Sequence, residues 1–169
     1  MQHSYEYRQD NVYLRPLEHS DIEHLRIWRN NPDNTKYLNQ IPYITEEMQE
    51  KWYEKYLEDK DEITFAIVEE HVFHRIVGSL SLYNIKEDSV EIGKIMVGEP
   101  TAHDMKIGSN ATKAGAIIAR DQLGKNIVYL HVFEQNVSGV KAYHNAGFNE
   151  VEKRLDEKGR IELTMNFSC

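Results

Sequence analysis

Residues 132–148, VFEQNVSGVKAYHNAGF, decide how the chain is read. They begin at the end of a β-type run, IVYLHVF (127–133), pass through Asn136, enter a short helical stretch over 138–146 that Gly147 stops, and return to extended chain at 148–152. Strand, short helix and strand therefore follow one another with almost no loop. Before them, a helix over about 109–123, stopped by Gly124, places Ala111, Ala114, Ile118 and Ala119 on a small-residue face that lies close to a sheet. After them, the turn-forming DEKGR leads into a last strand over 160–167, which alternates Ile161, Leu163, Met165 and Phe167.

The first half supplies what that helix covers. TFAIV (64–68), RIVGSLSLYNI (75–85) and VEIGKIMV (90–97) are β-branched and aromatic runs with short polar breaks, the pattern of a three-stranded antiparallel meander. Upstream, VYLRPL (12–17) reads as a strand. Ser20 with Glu23 forms a capping-box pattern ahead of a helix whose Ile22, Leu25 and Trp28 share one face. Thr45, with Glu46 and Glu47 behind it, predicts a second helix with an apolar stripe of Met48, Trp52 and Tyr56. The element order is βααβββαβαββ, an α+β fold of three layers read as a single domain over residues 1–169.

Bulk properties narrow the function. With 169 residues, 40% hydrophobic and 28% charged, the chain buries a core and folds as an ordinary globular domain. Its single cysteine, Cys169, leaves no internal disulfide and no cysteine-based metal site. The polar start lacks a signal peptide's apolar core, and no run approaches the roughly 18 apolar residues of a membrane span. A cytoplasmic protein is expected, away from membranes. The net charge of −8 argues against a general nucleic-acid binder and suits a cationic partner such as an amine, or serves solubility alone.

Two segments carry a resemblance. VEIGKIMVGEPTAHDMKIGSNATKAG (90–115) resembles the cofactor loop and helix of the GCN5-related N-acetyltransferase (GNAT) family, and 132–148 resembles its E-x-N-x-x-A-x-x-x-Y-x-x-x-G-F segment. Glu134, Asn136, Tyr143, Gly147 and Phe148 stand at the family spacing, with Gly139 where alanine is usual. The opening, VYLRPLEHSDIEHLRIWRN, is similar to the branch that holds ribosomal-protein and amino-sugar acetyltransferases. The resemblance implies a GNAT fold: a mixed, mostly antiparallel twisted sheet of about seven strands flanked by about four helices. It implies acetyl-CoA as co-substrate and transfer of an acetyl group to a primary amine.

The loop departs from the family pattern, because His103 takes the first place, Lys106 the first glycine's place, and only Gly108 is kept. A helix tip binds phosphate through its unpaired N–H groups, so a lysine at positive φ, about 1 kcal/mol worse than glycine, still permits binding. The resemblance puts His103, Met105, Lys106, Ile107, Gly108, Ser109 and Asn110 around a diphosphate. It puts Ile95, Met96 and Val97 along the pantetheine arm as a false strand, a backbone N–H near Met96 at the oxyanion, and Asn136 as a hydrogen-bond partner of the arm. Gly93 marks either a bulge that starts the splay of the strands or a glycine kept for packing.

Acyl transfer to an amine needs a base, a donor to the oxyanion and an acid for the departing thiolate. Tyr143 is the acid candidate, with half-buried packing as its other reading. Glu91 is the base candidate, directly or through water; strand alternation places it with Gly93 and Ile95, although strand glutamates also simply face solvent. Trp28, Arg29 and Asn30, with the following loop to Thr45, are expected to meet the acceptor. Arg29 suits a phosphate or serves the helix dipole. None of the eight histidines, His24, His71 and His74 included, stands in a metal-ligand spacing with acids, and no metal is expected.

The leading acceptor is an amino sugar, free or nucleotide-linked, with a protein α-amine or a polyamine as the enzymatic alternative. A non-catalytic acyl-CoA-binding domain is the alternative of another class. A monomer or homodimer is expected.

Overall fold

The computed structural model describes residues 1–36 and 42–168. It contains one eight-stranded sheet in the order β1-β2-β3-β4-β5-β6-β8-β7, formed by Tyr7–Gln9, Val12–Pro16, Glu62–Glu69, Arg75–Tyr83, Ser89–Val97, Ile127–Phe133, Phe148–Leu155 and Ile161–Phe167 for β1 to β8. Every neighbouring pair is antiparallel except β5 and β6. That parallel step follows from the crossover between them, which is long enough to hold a helix. The described residues form five α-helices: α1 (Ile22–Asn30), α2 (Pro32–Thr35), α3 (Glu46–Glu58), α4 (Ile107–Ile117) and α5 (Val137–Asn145). The mixed, mostly antiparallel sheet agrees with the sequence reading, with β1 and the one-turn α2 added to it.

Each sheet face has its own core. On one, Ala111, Ala114, Ala116, Ile118 and Ala119 from α4 and the turn of wide helix after it are fully buried against Leu14, Phe65, Leu80, Ile92 and Leu130. Small side chains bring this helix close: a Cβ on Gly115 would fall 3.2 Å from Leu80. On the other face, Leu17, Ile22, Leu25, Trp28 and Tyr56 pack on Ala66 and Ile76. Trp28 lies so tightly on Gly98 that a Cβ there would fall 2.1 Å from the indole ring.

Two local expectations are corrected. Ser20 does not cap α1. A 3₁₀ turn over His19–Asp21 leads in, and buried Asp21 accepts the Glu18 N–H at 2.9 Å and both terminal nitrogens of Arg15 at 2.7 and 2.8 Å. A carboxylate holding a guanidinium in two places outcompetes a lone hydroxyl. In α3 the Thr45 hydroxyl does cap Met48 N–H, but Met48 is 45% exposed and the inward positions are Gln49 and Tyr56.

The decisive irregularity is in β5. Ser79 pairs with Met96 and Ser81 with Gly93, so Lys94 and Ile95 together oppose Leu80. This is a β-bulge, and Lys94, not Gly93, takes the left-handed conformation, φ +50°. The extra residue inverts the alternation. Val90 and Ile92 belong to the α4-side core, and beyond the bulge Ile95 and Val97 pack there while Met96 joins the opposite face. Glu91 and Gly93 therefore share a face with Met96, which corrects the expectation that Ile95 stands beside them. Gly93 leaves room for Tyr83, whose hydroxyl would lie 2.5 Å from an added Cβ.

Gly78→Ala should lower stability by about 1–3 kcal/mol, because its Cβ would meet the Met96 carbonyl oxygen at 2.1 Å across the bulged pair. Gly124→Ala, in open space at φ +67°, should lose only about 1 kcal/mol. Urea titration of the two variants measures the difference.

Candidate active site

β5 and β6 stay together for three residues. Ser89, Val90 and Glu91 pair with Ile127, Val128 and Tyr129, and then the strands part although β5 continues to Val97 and β6 to Phe133. The backbone groups of Ile95, Met96 and Val97 that point towards β6 thus have no strand partner, the condition under which an extended ligand can pair with an edge.

Helix α4 packs on β5 and on α5. Its N-cap is Lys106, in left-handed conformation at φ +57°, ψ +21°. The first bond within the helix runs from Asn110 N–H to the Lys106 carbonyl at 2.9 Å. The N–H groups of Ile107, Gly108 and Ser109 come before it and stay outside the helical ladder. Gly108 has no atom within 4 Å of where a Cβ would stand, so approach to these donors is open. His103 and Lys106 are exposed beside them. Unpaired donors and the positive end of the helix dipole together make an anion site.

A residue far away in sequence braces this loop. Buried Asn11, in the β1–β2 turn, donates to the Met105 carbonyl at 3.1 Å and accepts from the Asn110 side chain at 2.8 Å. The Asn110 side-chain nitrogen and backbone N–H are thereby occupied inside the protein, and Met105 packs against the core. Of the seven loop residues singled out, Asn110 and Met105 shape the loop while Ile107, Gly108 and Ser109 present donors.

The third wall is α5. Asn136 caps it, accepting the Gly139 N–H at 3.1 Å, which leaves its amide nitrogen free to donate. Glycine stands at 139 because a Cβ would lie 2.6 Å from that nitrogen. Tyr143 is half-buried against the α4-side core, and its hydroxyl has no hydrogen-bond partner among the described residues. Burial alone pushes its phenol up to about 12. Glu134, also at family spacing, pairs instead with Lys153 at 2.8 Å on the surface.

The floor of the cleft is a polar row. Glu62 on β3, Tyr83 on β4, Glu91 on β5, Tyr129 on β6 and Asn166 on β8 are successive cross-strand partners. Glu91, 6% exposed and at the last paired position, accepts from Tyr83 Oη at 2.8 Å and from Asn84 Nδ2 at 2.7 Å. Burial raises both the Tyr83 and Tyr129 phenols, helped at Tyr83 by its hydrogen bond to Glu91 and at Tyr129 by the Glu91 charge, so both remain protonated. Tyr83, Asn84 and Tyr129 escaped the sequence reading. Alternation tells which face a residue takes but not which residue it meets on the next strand.

The acceptor residues fare differently. Trp28 is core. Asn30 clamps the backbone of Ile44, donating to its carbonyl and accepting its N–H at 2.8 Å each. Arg29 is half-buried and makes no ion pair among the described residues. Part of the loop to Thr45 and the terminal Cys169 lie outside the described residues. Among those described, no group of three histidine, cysteine or acidic side chains could hold a metal ion, and no helix is long and apolar enough to cross a membrane.

Asn11→Ala should remove about 1–3 kcal/mol of stability in urea, since it leaves the Met105 carbonyl without its partner and the Asn110 amide with only the long 3.4 Å bond to Asp10. Buried tyrosines also give the fold an alkaline limit. Tyr56 and Tyr143 are both pushed up to about 12 by burial, so their contribution is intact below about pH 10 and is lost as pH rises through 12. Equilibrium unfolding between pH 9 and 12 should show that fall, and it should be shallower in Tyr143→Phe.

Comparison with known proteins adds lineage. An uncharacterised protein of Methanocaldococcus jannaschii is 25% identical over 158 residues, 91% of this chain. A mycothiol acetyltransferase of Salinispora tropica is 40% identical over 62 residues, 36% of this chain. The chain spans 31% and 20% of the lengths of these two relatives. Spermidine N-acetyltransferase from Vibrio cholerae, solved with CoA and spermine, superposes with a TM-score of 0.82 at 21% identity, covering 94% of this chain and 95% of that one. The acetyltransferase (GNAT) domain model matches residues 11–149, and the chain belongs to that family.

Proposed function

We propose that the protein transfers an acetyl group from acetyl-CoA to a primary amine of a small acceptor. One observation carries this reading: β5 parts from β6 after Glu91 and leaves the edge of Ile95 to Val97 open, while α4, packed on β5 and α5, presents unpaired N–H groups at its tip and the Tyr143 hydroxyl has no partner among the described residues. The N–H groups of Ile107, Gly108 and Ser109 take the diphosphate, with Lys106 as a nearby point charge. The edge of β5 from Ile95 to Val97 takes the pantetheine arm, and the free amide of Asn136 donates to it. A backbone N–H beside the bulge faces the thioester oxygen as negative charge develops there.

Glu91 receives the ammonium proton through water. Its two oxygens each accept one bond, from Tyr83 and Asn84, which fix the carboxylate and leave each oxygen a further acceptor site for a water. Tyr143, protonated at neutral pH, gives its proton to the departing thiolate as the C–S bond breaks, and its phenolate is re-protonated by the second proton that the attacking nitrogen sheds in becoming an amide.

For the acceptor, an aliphatic polyamine now stands ahead of an amino sugar. The likeness in fold to a spermidine acetyltransferase, the net charge of −8 and the paired glutamates of the floor favour a cation. With Trp28 and Asn30 engaged in structure, only Arg29, without an ion pair among the described residues, favours an anionic sugar nucleotide, which is the second reading.

A thiol-release assay with acetyl-CoA against polyamines, amino sugars and N-terminal peptides should give the highest rate with polyamines. In Tyr143→Phe, kcat should fall by about 10²-fold or more while CoA affinity by calorimetry stays within about twofold. Equal rates in the two proteins would remove Tyr143 as the acid. Binding of acetyl-CoA without release by any amine would make the chain a non-catalytic acyl-CoA-binding domain.

A further inference from the structure

The polar row holds two carboxylates, and they are used differently. Glu91 accepts one neutral donor on each oxygen, from Tyr83 and Asn84. Glu62, two strands away, accepts the Lys94 ammonium at 2.5 Å and touches only the Thr64 hydroxyl, at 3.4 Å, with its other oxygen. The same ammonium stands over the Tyr83 ring, 5.2 Å from its centroid. A carboxylate on one side and an aromatic face on the other make a cradle for an ammonium ion. The cradle is filled by a residue of the bulge itself, the one at φ +50°.

The two partners are unequally fixed. Glu62 is 16% exposed and belongs to the sheet floor, whereas Lys94 is 44% exposed and lies over it from the solvent side. An ion pair this open to water contributes little, so replacing one ammonium by another is close to balanced. Tyr83 separates the two carboxylates, and strands two apart lie about 10 Å from one another. A flexible aliphatic chain with a nitrogen at each end matches that arrangement, one nitrogen reaching the Glu91 end of the cleft and the other Glu62.

We infer that Glu62 is the anchor for a second cationic nitrogen of the acceptor, and that Lys94 occupies this anchor until such an acceptor displaces it. The inference rests on the reading of the cleft as an acyl-transfer site and adds to it a rule of selection. A monoamine leaves Lys94 in place. A diamine or longer polyamine exchanges its far ammonium for that of Lys94, whose flexible stem swings into water.

Calorimetry in the presence of CoA, with butane-1,4-diamine and butylamine, tests the anchor on wild type, Glu62→Gln, Lys94→Met and the double variant; thiol release is followed with the same amines. The ratio of diamine to monoamine affinity should fall at least tenfold in Glu62→Gln and rise at least threefold in Lys94→Met. In the double variant it should stay at the Glu62→Gln level, since without the acid the lysine has nothing to compete for. An unmoved ratio in Glu62→Gln, or a lower one in Lys94→Met, overturns the anchor. Should Glu62→Gln fail to fold, the rise in Lys94→Met decides alone. If the ratios move as expected while no amine releases thiol from wild type, the anchor stands and acetyl transfer fails. If thiol is released and the ratios are flat, the reverse holds.

Discussion

The architecture turns on the bulge in β5. One added residue, Lys94, does two things at once: it bends the strand away from β6, and it inverts which side chains face which core. Without it, β5 and β6 would continue pairing, the edge groups of Ile95 to Val97 would be satisfied within the sheet, and no slot would exist for an extended ligand. With it, the row of Glu62, Tyr83, Glu91 and Tyr129 ends at the vertex of an opening. The reactive groups therefore owe their common location to a backbone irregularity more than to any attraction among themselves.

Stability and site are built from different material. The α4-side core is dry, with alanines fitted against leucine, isoleucine and phenylalanine, and it fixes the height at which the helix tip stands above the strands. Most ion pairs lie on the surface and contribute little. The exception is Arg15 with buried Asp21, where two charge-assisted bonds hold the turn into α1 and so the position of Trp28 on Gly98.

Much of the fold was legible because its signals are local. The β-branched and aromatic runs in 64–68, 75–85 and 90–97, the small-residue face of α4, and glycines at 124 and 147 each follow from a short window. β1 was missed because Tyr5 and Tyr7 reach the core from an otherwise polar stretch, with no apolar run to announce them. The parallel pairing and the bulge are properties of two strands together and have no signature in either alone. The same divide runs through the site. The loop and Tyr143 stood out through a family resemblance in contiguous segments. Tyr83 and Asn84 bond Glu91, and Tyr129 stands opposite it, only through the register of neighbouring strands, and Asn11 reaches the loop from the far end of the chain.

That last contact has a kinetic side. Asn11 is separated by 94 residues from Met105 and by 99 from Asn110. Closing so long a segment is slow compared with forming the helix behind the loop, since α4 can wind from neighbours alone. The curl of residues 103–106 should then be among the late features to settle during folding, after the helix that it introduces has already taken shape.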